Sequence, residues 1–215
     1  MDQRQTASTQ AASDAAIVVC ELQCRRGDRV LFAPTSFVVA SGTIVWVRGA
    51  NGQGKTTLLR TLAGLSSPAA GEIVRTGSRP PLYLAHANAL KDDLTVAESL
   101  RFLLQLAGEP ISAAAIDAAL ERLGVASRRN AFVRTLSQGQ RRRVALARLA
   151  AQREPLPWLL DEPFDALDAA GVAILADVIA AHARRGGSVV LTSHLPVPID
   201  DPAPLVVQLH EPAMA

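Results

Sequence analysis

The chain has 215 residues, enough for one domain of ordinary size or one domain with a small insertion, and 49% of them are hydrophobic, ample for a core. With 22 basic residues against 20 acidic, the net charge of +2 gives no electrostatic ground for nucleic acid as an obligatory partner. No apolar run approaches the ~20 residues needed to span a bilayer, so any membrane role is expected to come through a partner and not through direct insertion.

Residues 1–15 are rich in Ala, Ser, Thr and Gln, lack the apolar centre of a secretory signal, and read as a disordered tail. Ala16 to Gln23 and Arg29 to Val39 read as two strands joined by the polar turn Arg25-Arg26-Gly27-Asp28. Cys20 and Cys24 lie in and just after the first, and strict alternation would turn both to one face. A metal, haem or redox site would need further ligands that the sequence lacks, so buried reduced thiols are the expectation. Ser41-Gly42 then turns the chain into Thr43-Ile44-Val45-Trp46-Val47, β-branched and apolar like a buried strand.

The next stretch, Gly49-Ala50-Asn51-Gly52-Gln53-Gly54-Lys55-Thr56-Thr57, fits G-x-x-x-x-G-K-[ST] at every fixed position. Thr57 to Ala63 follows with helical spacing and stops at Gly64, a plausible cap. A glycine-rich turn without a ligand is the alternative, but strand, loop and helix in this order is the context a phosphate loop requires. Glycines let backbone N–H groups close around phosphate oxygens, and a helix N-terminus adds positive potential there. Lys55, one of only two lysines with Lys91, would reach the β/γ-phosphates, and the Thr56 hydroxyl would ligate Mg²⁺. The expected ligand is a nucleoside triphosphate.

Ser66 to Gly71 is a loop, Glu72 to Arg75 a short strand, and Leu82-Tyr83-Leu84-Ala85 a further strand. From Leu94 the pattern turns helical for some 60 residues. Thr95-Val96-Ala97-Glu98 is a capping box opening a helix with Leu100, Leu103, Leu104 and Ala107 on one side. Ser112 starts another that ends at Gly124, and Ser137-Gln138-Gly139-Gln140 opens a third running to about Ala151. Its Arg141-Arg142-Arg143 triplet is read as a solvated or interface face, with nucleic-acid contact as the lesser alternative. Pro157 to Leu160 is a buried strand running into Asp161-Glu162-Pro163; Asp168 to Arg184 is a long helix. Ser188 to Ser193 is a strand ending at His194, and Pro204 to Leu209 is a final one.

Singly, each later motif has a structural explanation. In this order after a phosphate loop, the set resembles the ATP-binding cassette (ABC) ATPase family over roughly residues 16–210. Residues 49–57 are similar to its Walker A loop, and Leu136-Ser137-Gln138-Gly139-Gln140 to its signature sequence with Gln138 in place of one Gly. Leu159-Leu160-Asp161-Glu162-Pro163 resembles the Walker B strand, Ala166-Leu167-Asp168 the D-loop, and Thr192-Ser193-His194 the switch histidine. The resemblance implies an α/β P-loop NTPase fold: a single cassette of residues 16–210 with a mixed β-sheet core, an N-terminal antiparallel β part, an inserted helical subdomain at about 90–152, and a short tail at 211–215. It implies ATP and Mg²⁺ as cofactors, the metal held by Thr56 and Asp161, Glu162 as general base, and His194 at the γ-phosphate. Ser137 and the Gly139 backbone would meet nucleotide bound to a second cassette, so a head-to-tail homodimer or pair of related cassettes is expected; Gln140 and Asp168 are expected among the nucleotide-binding residues. Two positions depart from the family pattern. Arg26 stands where an aromatic residue usually stacks on adenine, and a guanidinium can also stack on a base. His86 stands where the family has a glutamine that senses the γ-phosphate; a surface-loop histidine is the alternative.

The His86 region (Tyr83 to Lys91, then Leu94 to Glu98) narrows the resemblance to the cassettes of the cytochrome c maturation (Ccm) system, as do Gln140 to Leu149 and Asp161 to Gly171. That family implies a location on the cytoplasmic face of a bacterial inner membrane and a complex with integral membrane subunits. ATP hydrolysis there would release a haem-loaded periplasmic chaperone. A cassette of another exporter, a non-transport ABC protein and a binding module without hydrolysis are the alternatives; intact Glu162 and His194 argue against the last.

Overall fold

The computed structural model describes residues 15–77, 79–108 and 112–212. Of the expected tails, residues 1–14 and 213–215 lie outside the described residues, whereas Ala15 already belongs to a strand. The chain opens with β1 (Ala15–Gln23), the hairpin of β2 (Arg25–Arg26) and β3 (Arg29–Val30), and β4 (Thr35–Ala40). β5 (Ile44–Arg48) leads into helix α1 (Lys55–Leu62), followed by β6 (Ala70–Arg75) and β7 (Leu82–Leu84). Helices α2 (Val96–Leu106), α3 (Ala113–Arg122) and α4 (Gln138–Ala151) come next. The chain then returns to β8 (Trp158–Leu160), α5 (Ala169–Arg184), β9 (Val189–Thr192) and β10 (Leu205–Gln208).

The mixed β character comes from separate sheets. β10-β5-β9-β8-β7 form one sheet that is parallel throughout, and β4-β1-β6 form an antiparallel one. Parallel strands are stable when both faces are covered, and the residues alternate accordingly. Ile44, Trp158, Leu160, Val189 and Leu191 face a core shared with α2 to α5. Val45, Val47, Leu159 and Val190 face a second core, filled by Leu58, Leu59 and Leu62 of α1 and by Ile17, Val19 and Leu22 of the antiparallel sheet. Because the strands run the same way, the loops after β5, β7, β8 and β9 emerge along one edge.

Two sequence expectations are corrected. The strand expected over 29–39 breaks between Val30 and Thr35, where Pro34 has no N–H for a ladder and Leu31 and Phe32 turn into the second core. The two cysteines do not share a face: Cys24 is buried and Cys20 exposed. The cause is a bulge at Glu21, whose φ of 46° shifts the register so that odd-numbered residues point inward before it and Leu22 and Cys24 after it. Across the bulge Gly71 has φ 82°, and a Cβ there would lie 2.3 Å from the Glu21 carbonyl oxygen, so only glycine fits.

Helices α2 to α5 start where the sequence indicates, whereas α1 begins at Lys55, two residues before the expected Thr57. Thr95 and Glu98 cap α2 reciprocally, with Thr95 N donating to Glu98 Oε2 (2.8 Å) and Glu98 N to Thr95 Oγ1 (3.3 Å). Ser137 and Gln140 do the same at α4. Gly64 and Gly124 adopt positive φ just past α1 and α3.

Inside α5, His182 is wholly buried, stacked at 3.6 Å on Trp158, and bonded through Nε2 to the Leu156 carbonyl at 2.8 Å. A carbonyl only accepts, so Nε2 carries the proton. The ring leaves no room beside it: a Cβ at Gly187 would lie 2.1 Å from Nε2. Burial pulls its pKa down from 6.5 to about 4, with the Arg185 charge adding to the fall. Between those values the unfolded chain takes up a proton that the folded chain refuses, so stability drains as pH falls from about 6.5 to about 4, by roughly 3 kcal/mol at most. Urea midpoints of wild type and His182→Gln, measured across that window, are expected to diverge, with wild type falling more steeply; parallel curves would contradict a neutral His182.

Candidate active site

The phosphate loop spans residues 49–54, between β5 and α1. Gly54, the residue preceding α1, has φ 99°, and a Cβ on it would lie 2.8 Å from Leu31 Cβ. Backbone conformation and packing therefore both require glycine at that point. Gly52 also lies at positive φ, 76°, facing open space. Gln53 fixes the loop from within: its Oε1 accepts from Ala50 N at 2.6 Å, and its Nε2 donates to the Leu209 carbonyl at 3.1 Å. Lys55 is nearly buried, and its Nζ donates to the carbonyls of Gly49 (2.8 Å) and Ala50 (3.2 Å). Thr57 lies one residue further into α1, where its carbonyl accepts from Thr61 Oγ1 at 2.9 Å. The first turn of α1 directs its free N–H groups, with the positive end of the helix dipole, at the loop.

Asp161 and Glu162 follow directly on β8. Asp161 is 2% exposed and receives a hydrogen bond on each carboxylate oxygen: Oδ2 from Thr56 Oγ1 at 2.8 Å, Oδ1 from Thr192 Oγ1 at 2.9 Å. The Thr192 hydroxyl also accepts from Glu162 N at 2.9 Å. Glu162 has φ 46°, a left-handed conformation for a non-glycine residue that is held by its surroundings. Its Oε2 accepts from His194 N at 3.1 Å, and His194 Nε2 lies 3.2 Å from Oε1. Burial raises the Glu162 pKa, and the Asp165 charge adds to this; His194, through charge and backbone N–H, and then Lys55 oppose it.

These groups line a single cavity of about 350 Å³, with Asn51, Gly52, Gly54, Lys55, Thr56, Asp161, Glu162 and His194 in its wall. Arg26 reaches it from the β2–β3 hairpin, and His86 from the loop after β7. His86 is exposed, with Nδ1 3.7 Å from Asp165 Oδ2. The remaining expected residues gather elsewhere. Ser137, Gly139, Gln140 and Asp168 line a separate cavity of about 320 Å³ at the start of α4. There Asp168 caps α5 by accepting from Gly171 N at 2.9 Å and also bonds Arg143. Gly139 packs closely against the Ala166 carbonyl, 3.1 Å from where its Cβ would be.

The arginine triplet departs at Arg142 from the expected solvated or interface face. Arg141 pairs with Asp92 at 2.7 Å and Arg143 with Asp168, while Arg142 is 2% exposed and points into the protein. Sequence reading missed it, although a signal was present. Stepping back along the buried side of α4 from Leu149 through Leu146 and Ala145 lands on Arg142. Thr192 likewise enters the sequence reading only within the strand end and the switch-histidine stretch, with no role of its own.

A glycine loop that closes on a lysine, with a hydroxyl, two carboxylates and a histidine along the same sheet edge, defines a P-loop nucleotide-hydrolysing cassette. Comparison with known proteins agrees. The family model described as "ABC transporter" matches residues 32–165. Two curated relatives are each described as "Cytochrome c biogenesis ATP-binding export protein CcmA". The one from Aromatoleum aromaticum is 46% identical, covering 92% of this chain and 96% of its own. The one from Albidiferax ferrireducens is 48% identical, covering 83% of this chain and 90% of its own. A solved structure described as the ATP binding subunit of an ABC transporter shares the fold, with TM-score 0.73 at 23% identity over 84% of this chain and 80% of its own. The chain belongs to the ABC transporter family, as a nucleotide-binding, ATP-hydrolysing member of its cytochrome c biogenesis CcmA branch.

Thr192 holds both acids in place, so Thr192→Val should leave Asp161 Oδ1 and the Glu162 N–H without that partner at a cost of about 1–3 kcal/mol. Turnover is expected to fall more than ATP affinity, and Thr192→Ser to retain most of both. Thermal melts and steady-state ATPase assays of the two variants check this.

Proposed function

We propose that the chain is the ATP-hydrolysing subunit of a membrane complex for cytochrome c biogenesis, coupling turnover to release of a haem-loaded periplasmic chaperone. The observation that carries the hydrolytic part is the convergence of Lys55, Thr56, Asp161, Glu162 and His194 on one cavity. The pathway rests on the likeness to proteins described as cytochrome c biogenesis ATP-binding export proteins.

ATP is the substrate, its phosphates cradled by the N–H groups of residues 49–57 and by Lys55. Mg²⁺ fits the donor set: a hydroxyl and a carboxylate, Thr56 and Asp161, stand 2.8 Å apart as hard oxygen ligands. Bound there, the ion would neutralise charge on the β- and γ-phosphates. Glu162, whose raised pKa favours accepting a proton, polarises the attacking water. His194 holds the Glu162 carboxylate and donates toward the γ-phosphate; His86 senses that phosphate from the β7 loop. Arg26 stacks its guanidinium on adenine in place of an aromatic ring.

Ser137, Gly139, Gln140 and Asp168 complete the site of a second cassette in a head-to-tail dimer, since they lie on a cavity distinct from the one carrying Lys55. Among the described residues no helix is long and apolar enough to cross a membrane. Attachment to the cytoplasmic face of the inner membrane therefore runs through integral membrane subunits of the Ccm complex.

Glu162→Gln, expressed with its neighbouring membrane proteins, tests both parts. The expected result is loss of ATP turnover by a factor of at least about 100, with haem-loaded chaperone trapped on the complex. Unchanged turnover would remove Glu162 as the base, and lost turnover with normal cytochrome c would remove the pathway.

A further inference from the structure

We infer that Arg142 is a positioning residue that ties the signature helix α4, the His86 loop and Glu162 into one mechanical unit. The guanidinium is 2% exposed, and every acceptor it finds is an uncharged oxygen. Its two terminal nitrogens divide the work. Nη1 donates into the loop after β7, to the carbonyls of Ala85 (3.4 Å) and His86 (3.2 Å) and to Asn88 Oδ1 (3.1 Å). Nη2 donates to the end of β8, to the carbonyls of Asp161 (3.3 Å) and Glu162 (2.6 Å). The planar fork spans both segments at once, which a lysine ammonium cannot do.

What this fixes is specific to the chemistry. Glu162 sits at φ 46°, and both peptide groups bordering that unusual conformation are anchored. Its N–H is held by Thr192 and its carbonyl by Arg142. With the backbone set on both sides, the Cα–Cβ direction is set as well, and His194 holds the carboxylate at the far end of the side chain. The same side chain grows from α4, one turn beyond Ser137 and Gly139. A shift of the helix N-terminus is thereby passed to Glu162 and to the His86 loop together. This inference rests on the reading of Glu162 as the residue that activates water.

The test uses the full chain. Arg142→Gln is expected to keep the fold, hold KM for ATP within about threefold and lower kcat about 100-fold, the scale of a 1 Å misplacement. Amide hydrogen exchange should rise together at residues 85–88 and at Asp161 and Glu162, with α1 unchanged. Arg142→Lys, serving one segment at a time, should recover only part of the loss. Undiminished kcat in a folded Arg142→Gln variant would overturn the inference, as would proportional loss of affinity and turnover with exchange rising throughout the chain. Should Arg142 variants fail to fold, Asn88→Ala removes one acceptor alone: about tenfold lower kcat at constant KM supports the tie, and unchanged kcat overturns it. Wild type is run beside Glu162→Gln. A Glu162→Gln variant that turns over normally sinks the hydrolytic reading itself. Turnover lost in Glu162→Gln but kept in Arg142→Gln sinks only the role of Arg142.

Discussion

Parallel strand direction is the constraint on which the site depends. Five strands running the same way must deliver their C-terminal ends to one edge, and four of those ends carry the chemistry. β5 releases the phosphate loop, β7 the His86 loop, β8 the two acids, and β9 Thr192 and His194. Residues more than a hundred positions apart meet there without any long-range element built to join them, as Thr56 and Asp161 do. Coverage of both sheet faces follows from the same constraint, and with it the near-continuous apolar character of Trp158 to Leu160 and Val189 to Leu191.

The same edge is rich in carbonyl oxygens, and the buried cations use them. Lys55 binds the carbonyls of Gly49 and Ala50, and Arg142 those of Asp161 and Glu162. None of these cations neutralises Asp161 or Glu162 through a direct ion pair. The acids are instead oriented by hydroxyls and N–H groups, which hold an oxygen in place while leaving its charge available. Rigidity and reactivity are thus supplied by different partners.

Most of the fold was legible because its signals are local. The Thr95 and Ser137 capping boxes, the glycines after α1 and α3, and the strand–loop–helix around Lys55 each need only a few neighbouring residues to be recognised. What escaped depends on distant partners. The bulge at Glu21 exists against β4 and β6, so strict alternation misplaced Cys20 relative to Cys24. The break before Thr35 reflects Leu31 reaching the phosphate loop at Gly54, a contact between segments over twenty residues apart. Arg142 was hidden by company: flanked by Arg141 and Arg143, it reads as part of a charged surface, yet only it lies on the buried stripe of α4. Motif order singled out the residues that line both cavities, and the family resemblance already set Ser137 and Gly139 apart from Lys55; the tertiary structure adds the shape and lining of each cavity.

The bulge at Glu21 also leaves the molecule with an inbuilt gauge of its own integrity. The chain has 2 cysteines, one on either side of that bulge. Cys20 faces outward, while Cys24 lies in the second core with its sulfur 3.4 Å from Thr61 Oγ1, and burial raises its pKa and so suppresses the reactive thiolate. An alkylating reagent therefore meets one thiol in the folded chain and both in the unfolded one. Thr61 belongs to the helix that begins at Lys55, so the second thiol reports on the packing beneath the phosphate loop. A count of modified sulfurs by mass reads the condition of the nucleotide-binding half without any engineered probe.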